Sequence, residues 1–582
     1  MRAVALGWAA LLACSHTAHA ELAAVWALDD GTKVNADQLA HPLRAGNAVF
    51  SKYPPLVRLF AARNETVAFQ VILQGGAAET ARVGVELANV GPIRNVRTTD
   101  QPDRYFVGRR IELLKELYLP VKQGSKGFVW RAGSAAEPST AKGLVPDPLV
   151  PLRAGERFTV PGRRNQGVWI DVYVPRDTPP GTHRGTVRVS IGGAKCALPT
   201  CELPVELQVL PATLPDVSST KSMLYFSGHP EELSLSPRYF GRGAKVAPKV
   251  FDALVLRHHR LARRHRVELF AGHDKAPTAL MKELHSGRAY TAAAGYEGPG
   301  MGVGQEIYSI STYGGKLSGS QVALWTSWFA RHAPKTRFFL YVKDEPGRKD
   351  FPEINRVAAA ARPVLSFVTN RFESGLEVDI YCTYAGEFSV RRMAQAQKKG
   401  KHVWIYNGSR PFSGTLLTDD SAIAPRVNPW IQYKHGIPWW FYWESTYYDD
   451  FQGKRGPTNV YADPLTFTNT HGDRLLGDGV LFYPGRDRLF PKEDRGIDAP
   501  LPSIRLKNWR RGIEDVEYLV LARQKGHGAA VDALLRELIP QALSDETKVG
   551  EAVSWSEEGQ DWLAARKRLA RLIAGSAGGK LR

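Results

Sequence analysis

The apolar residues of this chain change period once, near residue 218, and that change restricts the possible folds more than any other feature of the sequence. From about residue 22 to 215, short runs alternate apolar with polar positions and stop at Pro or Gly. Examples are 65–73 (ETVAFQVIL) and 168–174 (VWIDVYV), the latter leading through the turn Thr178-Pro179-Pro180-Gly181 into 185–190 (GTVRVS). Period-two alternation broken by turn signals roughly every ten residues predicts a β-sandwich. The stretch 204–215 (PVELQVLPATLP) reads as its last strand and a proline-rich linker.

Beyond residue 218 the rhythm becomes apolar strand, loop, helix. Candidate strands lie at 223–226, 267–271, 307–310, 337–342, 364–368, 378–382, 402–406 and 439–443, with helical stretches such as 321–332 and 354–361 between some of them. Eight such alternations predict a (β/α)8 barrel of the TIM type. Residues 480–483 (VLFY) form a further strand with no place in that count. From Ser503 the pattern is helical, with Ile513, Val516, Leu519 and Leu521 on one face. The expected organisation is a leader at 1–20, a β-sandwich at 21–215, a barrel at 216–500 and C-terminal helices packing on it at 501–582.

In a barrel the C-terminal strand ends carry the chemistry. The fourth candidate strand ends in Lys343-Asp344-Glu345-Pro346, two adjacent carboxylates directly after an apolar run. Neighbouring acids in a partly desolvated cleft push one another's pKa values apart, which lets one stay protonated while the other is ionised, as glycoside hydrolysis requires. Lys343, if directed into the cleft, would lower both. Aromatic residues gather at two late strand ends: Trp404, Tyr406, Trp430, Trp439, Trp440, Tyr442, Trp443, Tyr447 and Tyr448. Trp404, Tyr406, Trp440, Tyr442 and Trp443 are candidates to stack on sugar rings, and Tyr384 and Asn407 to bond sugar hydroxyls. Trp439 and Phe441 alternate with Trp440 and Tyr442 in a way that would also simply fill a barrel and its outer layer. Glu444 is a second carboxylate at a strand end, either a nucleophile partnering Glu345 or a rim acid bonded to loop backbone.

The N-terminus has Arg2, the apolar stretch 3–13 and Ala18-His19-Ala20 before Glu21, the layout of a cleaved secretory signal. The expected product is exported, to the periplasm or beyond, with lipoprotein attachment through Cys14 as the minor alternative. Cys196 and Cys201 can close a short disulfide in an oxidising compartment, and Cys382 lies in an apolar run as a buried thiol. No further segment is apolar for long enough to span a membrane. The formal charge of +19 becomes +18 once residues 1–20 leave with Arg2. Such a charge favours acidic partners, an acidic glycan among them. The densest basic run, 257–266 (RHHRLARRHR), reads as a solvated helix face, and export argues against nucleic acid. No metal-ligand spacing and no phosphate-cradling glycine loop is present, so no cofactor is expected.

The segments 61–73 (AARNETVAFQVIL), 167–189 (GVWIDVYVPRDTPPGTHRGTVRV), 343–346 (KDEP), 477–485 (GDGVLFYPG) and 501–519 (LPSIRLKNWRRGIEDVEYL) resemble the glycoside hydrolase family 123 catalytic-domain group and the bacterial domain of unknown function family 4091. The resemblance spans nearly the whole mature chain. It implies a β-sandwich before a barrel that cleaves β-linked N-acetylgalactosaminides with retention. Carried over, Asp344 would orient the 2-acetamido group and steady the oxazoline that it forms, and Glu345 would be the general acid/base. Two alternatives stay open. One is a two-carboxylate retaining glycosidase using Glu345 and Glu444 on a sugar without the acetamido group. The other is a noncatalytic glycan-binding surface protein.

Overall fold

The computed structural model describes residues 21–96, 109–138, 142–229, 232, 234–272 and 275–575. The leader and Cys14 lie outside these residues. Among them, no helix is long and apolar enough to cross a membrane.

The alternating N-terminal runs form two sheets. One has the order Leu22–Asp29, Glu65–Gly75, Asn165–Val174, Ile111–Val121, Gly143–Pro151, antiparallel throughout. The other is built around Pro55–Arg63, Glu202–Thr213, Gly181–Ile191 and Thr80–Val90, with one parallel pairing, between the first two. Val71 and Ile170 of the first sheet share a single apolar core with Val187 and Val205 of the second. Cys196 and Cys201 are joined in a disulfide and Cys382 is buried, both as the sequence suggests.

All eight candidate strands of the second half form. They are β1 (Lys221–Tyr225), β2 (Glu268–Phe270), β3 (Ile307–Ser309), β4 (Arg337–Lys343), β5 (Leu365–Val368), β6 (Ile380–Tyr384), β7 (His402–Tyr406) and β8 (Trp439–Tyr442). They pair in parallel in the order β2-β1-β8-β7-β6-β5-β4-β3. The barrel is therefore nearly closed, with one seam between β2 and β3. Side chains stitch that seam: the Glu268 carboxylate accepts from the amides of Glu306 (2.9 Å) and Ile307 (3.2 Å), and Gln305 donates to the Leu269 carbonyl (3.1 Å). Alternation sends Phe339, Tyr341, Phe367, Trp404, Trp439 and Phe441 into the barrel, and Leu340, Val342, Ile405 and Trp440 outward.

The outer layer departs from eight regular alternations. No helix separates β5 from β6, because residues 369–379 are too few for a crossover helix and contain the Ser374-Gly375 turn. Residues 480–483 contribute to a hairpin, Phe482–Pro484 with Pro500–Pro502, outside the barrel wall.

The helix Ile504–Gln524 differs most from its expected one-sided packing. It is buried on all sides from Ile504 to Leu519, charges included. Its cations meet carboxylates from the five-stranded sheet and its margins. Lys507 and Arg510 bind Asp171 (2.7 and 2.9 Å), Arg511 binds Asp30 (2.8 Å) and Glu65 (3.0 Å), and Arg505 binds Asp147 (2.7 Å). Burial alone would raise the Asp171 carboxyl, but Arg510 and Lys507 hold it well below the usual range. These ions lie between the sandwich and the barrel.

The basic run 257–266 is likewise no solvated face. His258 to Arg266 are all buried. Arg264 reaches Glu112 of the sandwich (3.8 Å) and Arg266 reaches Glu514 (3.5 Å). Arg505→Met, which removes the cation from Asp147 and leaves it only the Tyr483 hydroxyl (2.6 Å), is expected to lower stability by about 3–5 kcal/mol, and the double variant with Asp147→Leu to recover most of it. Urea midpoints of the three proteins measure this.

Candidate active site

A cleft of about 1260 Å³ opens where the barrel strands end, and Asp344 and Glu345 line it directly after β4. The backbone at Glu345 is left-handed, with φ of +39°, although Pro346 follows. For a residue with a long side chain this is strained, of order 1–3 kcal/mol, and such strain persists where surrounding contacts over-determine it. Here Thr369, at the end of β5, supplies them. Its hydroxyl accepts from the Glu345 amide (2.7 Å) and donates to Asp344 Oδ1 (2.7 Å). Tyr341, inside the barrel three residues earlier, donates to the same Oδ1 (2.7 Å). Asp344 Oδ2 makes no hydrogen bond among the described residues.

Glu345 faces the other way. Its Oε1 accepts from the Tyr406 hydroxyl (2.7 Å) at the end of β7. Desolvation pushes its carboxyl above the ordinary range; the Tyr406 hydrogen bond opposes this and the charge of Asp344 adds to it. Lys343 is exposed and absent from the cleft lining, so the only immediately adjacent cation is directed away.

The two acids therefore define two sides. On the Asp344 side, Tyr341 packs against Tyr313 (centroids 5.6 Å) and Tyr313 against Tyr225 (5.4 Å), whose hydroxyl donates to Glu232. On the Glu345 side, Tyr406 packs against Tyr384 (5.7 Å) and Tyr384 against Phe128 (6.0 Å).

Glu444 lines the same cleft but is turned into its own loop. Its Oε1 accepts from the amides of Ser445 and Thr446 (2.7 Å each) and from the Thr446 hydroxyl (3.0 Å), and Oε2 from Ser227 (3.1 Å). Burial, then the charge of Glu232, push its carboxyl up to about 8 against those amides.

Of the aromatic candidates, Tyr384, Tyr406 and Trp443 line the cleft, and so does Asn407. Trp404 does not. It is fully buried in the barrel interior against Phe339 and Phe367. Trp440 points outward into the helix layer and donates to the Asn407 carbonyl (2.7 Å), and Tyr442 is buried with its hydroxyl on Asp478 (2.9 Å). Strand alternation explains all three: Trp404 shares the inner face with Tyr406 one layer deeper, and Trp440 and Tyr442 share the outer face.

Several cleft residues escape the sequence reading. Thr369 ends a strand just as Glu345 follows one, which is the signal that would have found it. Tyr341 was hidden in an apolar run, although its hydroxyl needs a partner when buried. Asp478, in the segment 477–485, accepts from Trp443 Nε1 (3.3 Å) and Tyr442. The lining carries Glu232, Asp344, Glu345, Glu387, Glu444, Asp473 and Asp478 against Arg371 and His471. Among the described residues, no group of three or more His, Cys, Asp or Glu is placed to hold a metal ion.

Residues 342–522 match the family model for the glycoside hydrolase 123 catalytic domain. The chain is a glycoside hydrolase, similar over this stretch to the family 123 catalytic domain. The match includes both acids, β5 to β8 and most of the buried helix. A solved family 123 glycoside hydrolase from Clostridium perfringens, described for glycolipid glycan hydrolysis, aligns with a TM-score of 0.61 at 12% identity, over 95% of this chain and 97% of that one. At that identity the likeness speaks for the fold. A second structure, AvmM, described as catalysing macrocyclization in alchivemycin A biosynthesis, aligns with a TM-score of 0.14 at 11% identity over 26% of this chain and 82% of that one, and carries no argument. Among curated proteins none matches.

The hydrolase should show the Tyr406 contact in its pH profile. A general acid works while protonated, so activity falls as pH rises through the pKa of the acid. The Tyr406 hydroxyl stabilises the ionised carboxylate, so Tyr406→Phe is expected to move the alkaline limb of kcat/KM to higher pH if Glu345 is that acid. An unmoved limb would assign it to another group.

Proposed function

We propose that this hydrolase cleaves a β-linked 2-acetamido sugar, N-acetylgalactosamine in the first instance, with retention and with the substrate's own acetamido oxygen as nucleophile. The observation that carries the reading is the opposed anchoring of two adjacent carboxylates. Asp344 has one oxygen fixed by Tyr341 and Thr369 and the other without a protein partner, which suits an acid that accepts the acetamido N–H and steadies the charge of a forming oxazoline. Glu345 has its pKa pushed up and lies on the opposite side of its own backbone twist, which suits the acid that protonates the leaving oxygen and then deprotonates water.

In this mechanism the acetamido oxygen attacks the anomeric carbon as the glycosidic bond breaks. Glu345 gives its proton to the departing oxygen. Water activated by the resulting carboxylate then opens the oxazoline, and the proton returns to Glu345. No protein carboxylate bonds to the sugar. Glu444 is a poor nucleophile in its present setting, since three donors of its own loop occupy Oε1 and burial favours its protonated form. The acid-rich lining favours a neutral glycan over an acidic one.

The finer assignment of the scaffold to the (β/α)8 class rests on the parallel strand order and the position of the acids at strand ends. Export rests on the leader-like residues 1–20 and on a disulfide that persists in oxidising compartments.

Asp344→Asn and Glu345→Gln are each expected to lower kcat on β-N-acetylgalactosaminides by about a hundredfold or more. Neither variant should gain turnover on β-galactoside or β-glucoside. Full activity of Asp344→Asn, or turnover of plain hexosides that depends on Glu444, would overturn the reading.

A further inference from the structure

The Glu345 side of the cleft is walled by a loop of the N-terminal sandwich. We propose that this loop, through Phe128, forms a leaving-group subsite that holds a neutral sugar beyond the scissile bond. The inference rests on Glu345 being the acid beside the leaving oxygen, as proposed above.

Four contacts pin the loop over the barrel mouth. The amides of Lys126 and Arg474 each donate to the other's carbonyl (2.8 and 2.7 Å), the Leu476 amide donates to Ser125 Oγ (2.9 Å), and Ser125 Oγ donates to Asp419 (2.7 Å). Gly127 has a φ of +155°, and a Cβ there would lie 2.7 Å from the Asp473 carboxylate, so the two segments meet too closely for a side chain at this point. Tyr384 donates its hydroxyl to the Phe128 carbonyl (3.1 Å). The Phe128 ring is backed edge-on by Tyr384 and by Phe467 (centroids 6.0 and 6.3 Å), yet remains 44% exposed.

A single exposed phenylalanine means little. Among the described residues, however, the exposed large aromatic side chains are Tyr53, Phe128, Tyr313 and Phe451, and all but Tyr53 line this one cleft. The route from acid to ring is continuous: Glu345 to Tyr406, Tyr406 to Tyr384, Tyr384 to Phe128. The leaving oxygen stands at Glu345, so whatever is attached to it extends toward Phe128. The cleft, at about 1260 Å³, exceeds the roughly 300–1,000 Å³ that encloses a drug-sized ligand, so one monosaccharide leaves most of it empty. Polar residues at the tip of the hairpin formed by Leu465–Thr468 and Arg474–Leu476, Asn469 and His471, interrupt the aromatic surface. That mixture suits a pyranose, with an apolar C–H face and hydroxyl edges, better than an acyl chain.

The test compares two substrates with the same reacting sugar. One is a neutral trisaccharide ending in β-N-acetylgalactosamine; the other is β-N-acetylgalactosaminyl fluoride, whose one-atom leaving group cannot reach Phe128. In Phe128→Ala the ratio of kcat/KM for the trisaccharide to that for the fluoride is expected to fall about tenfold, and Phe128→Tyr to preserve it. An unchanged ratio in a folded Phe128→Ala protein would overturn the subsite. If the unmodified enzyme turns over neither compound, the 2-acetamido reading fails instead, and the same ratio is read with galactosyl or glucosyl fluoride and the matching trisaccharide, with the same two outcomes.

Discussion

The guanidinium of Arg505, buried between the sandwich and the barrel, ties together most of what matters in this molecule. It binds Asp147 of the five-stranded sheet and donates to the carbonyls of Leu416, Gly477 and Val480. Gly477 and Val480 bracket Asp478, which in turn holds Trp443 at the cleft and the buried Tyr442 behind it. Removing a charge of this kind from water is costly, and the cost is offset only when every donor finds a partner. The sandwich, the buried helix and the cleft wall must therefore form together. A sandwich in front of a barrel is here part of the barrel's own support.

The same coupling explains why the N-terminal half contributes to the cleft. Once Asp147, Asp171, Glu65 and Asp30 are locked to the Ile504–Gln524 helix, the loop that follows Ile111–Val121 is carried across the barrel mouth, where Lys126 meets Arg474 and Phe128 meets Tyr384. The barrel alone would offer the two acids and the Asp344 side. The Glu345 side is completed by the neighbouring unit. Between them, a twist at Glu345 lets consecutive residues serve opposite sides, a division that an untwisted strand end could also have made only by separating the acids in sequence.

Much of this was legible from periodicity. All eight barrel strands were located from apolar runs because parallel strands buried on both faces read as near-continuous hydrophobic segments. The acid pair was visible as an abrupt polar end to such a run. Burial of charge was not legible. The run 257–266 read as a solvated face, because sequence shows a charge but not the carboxylate that arrives from another part of the chain. Trp404, Trp440 and Tyr442 were drawn toward the site by composition, whereas alternation assigns them to the core. Phe128 carried no local signal strong enough to single it out, since its role arises from contacts with distant segments. The net charge of the chain likewise said nothing of the cleft, whose lining is mainly acidic.

The central claim is that the substrate's acetamido oxygen, and no protein carboxylate, attacks the anomeric carbon. Fluorine on the acyl group withdraws electrons from that oxygen while leaving the sugar ring and the leaving group alone. The measurement is kcat/KM for one aryl β-galactosaminide carrying acetyl, monofluoroacetyl, difluoroacetyl and trifluoroacetyl groups on nitrogen. A steep, stepwise fall with each fluorine is the result expected for Asp344 and Glu345 acting as described. A flat series would contradict it and return the nucleophile to the protein.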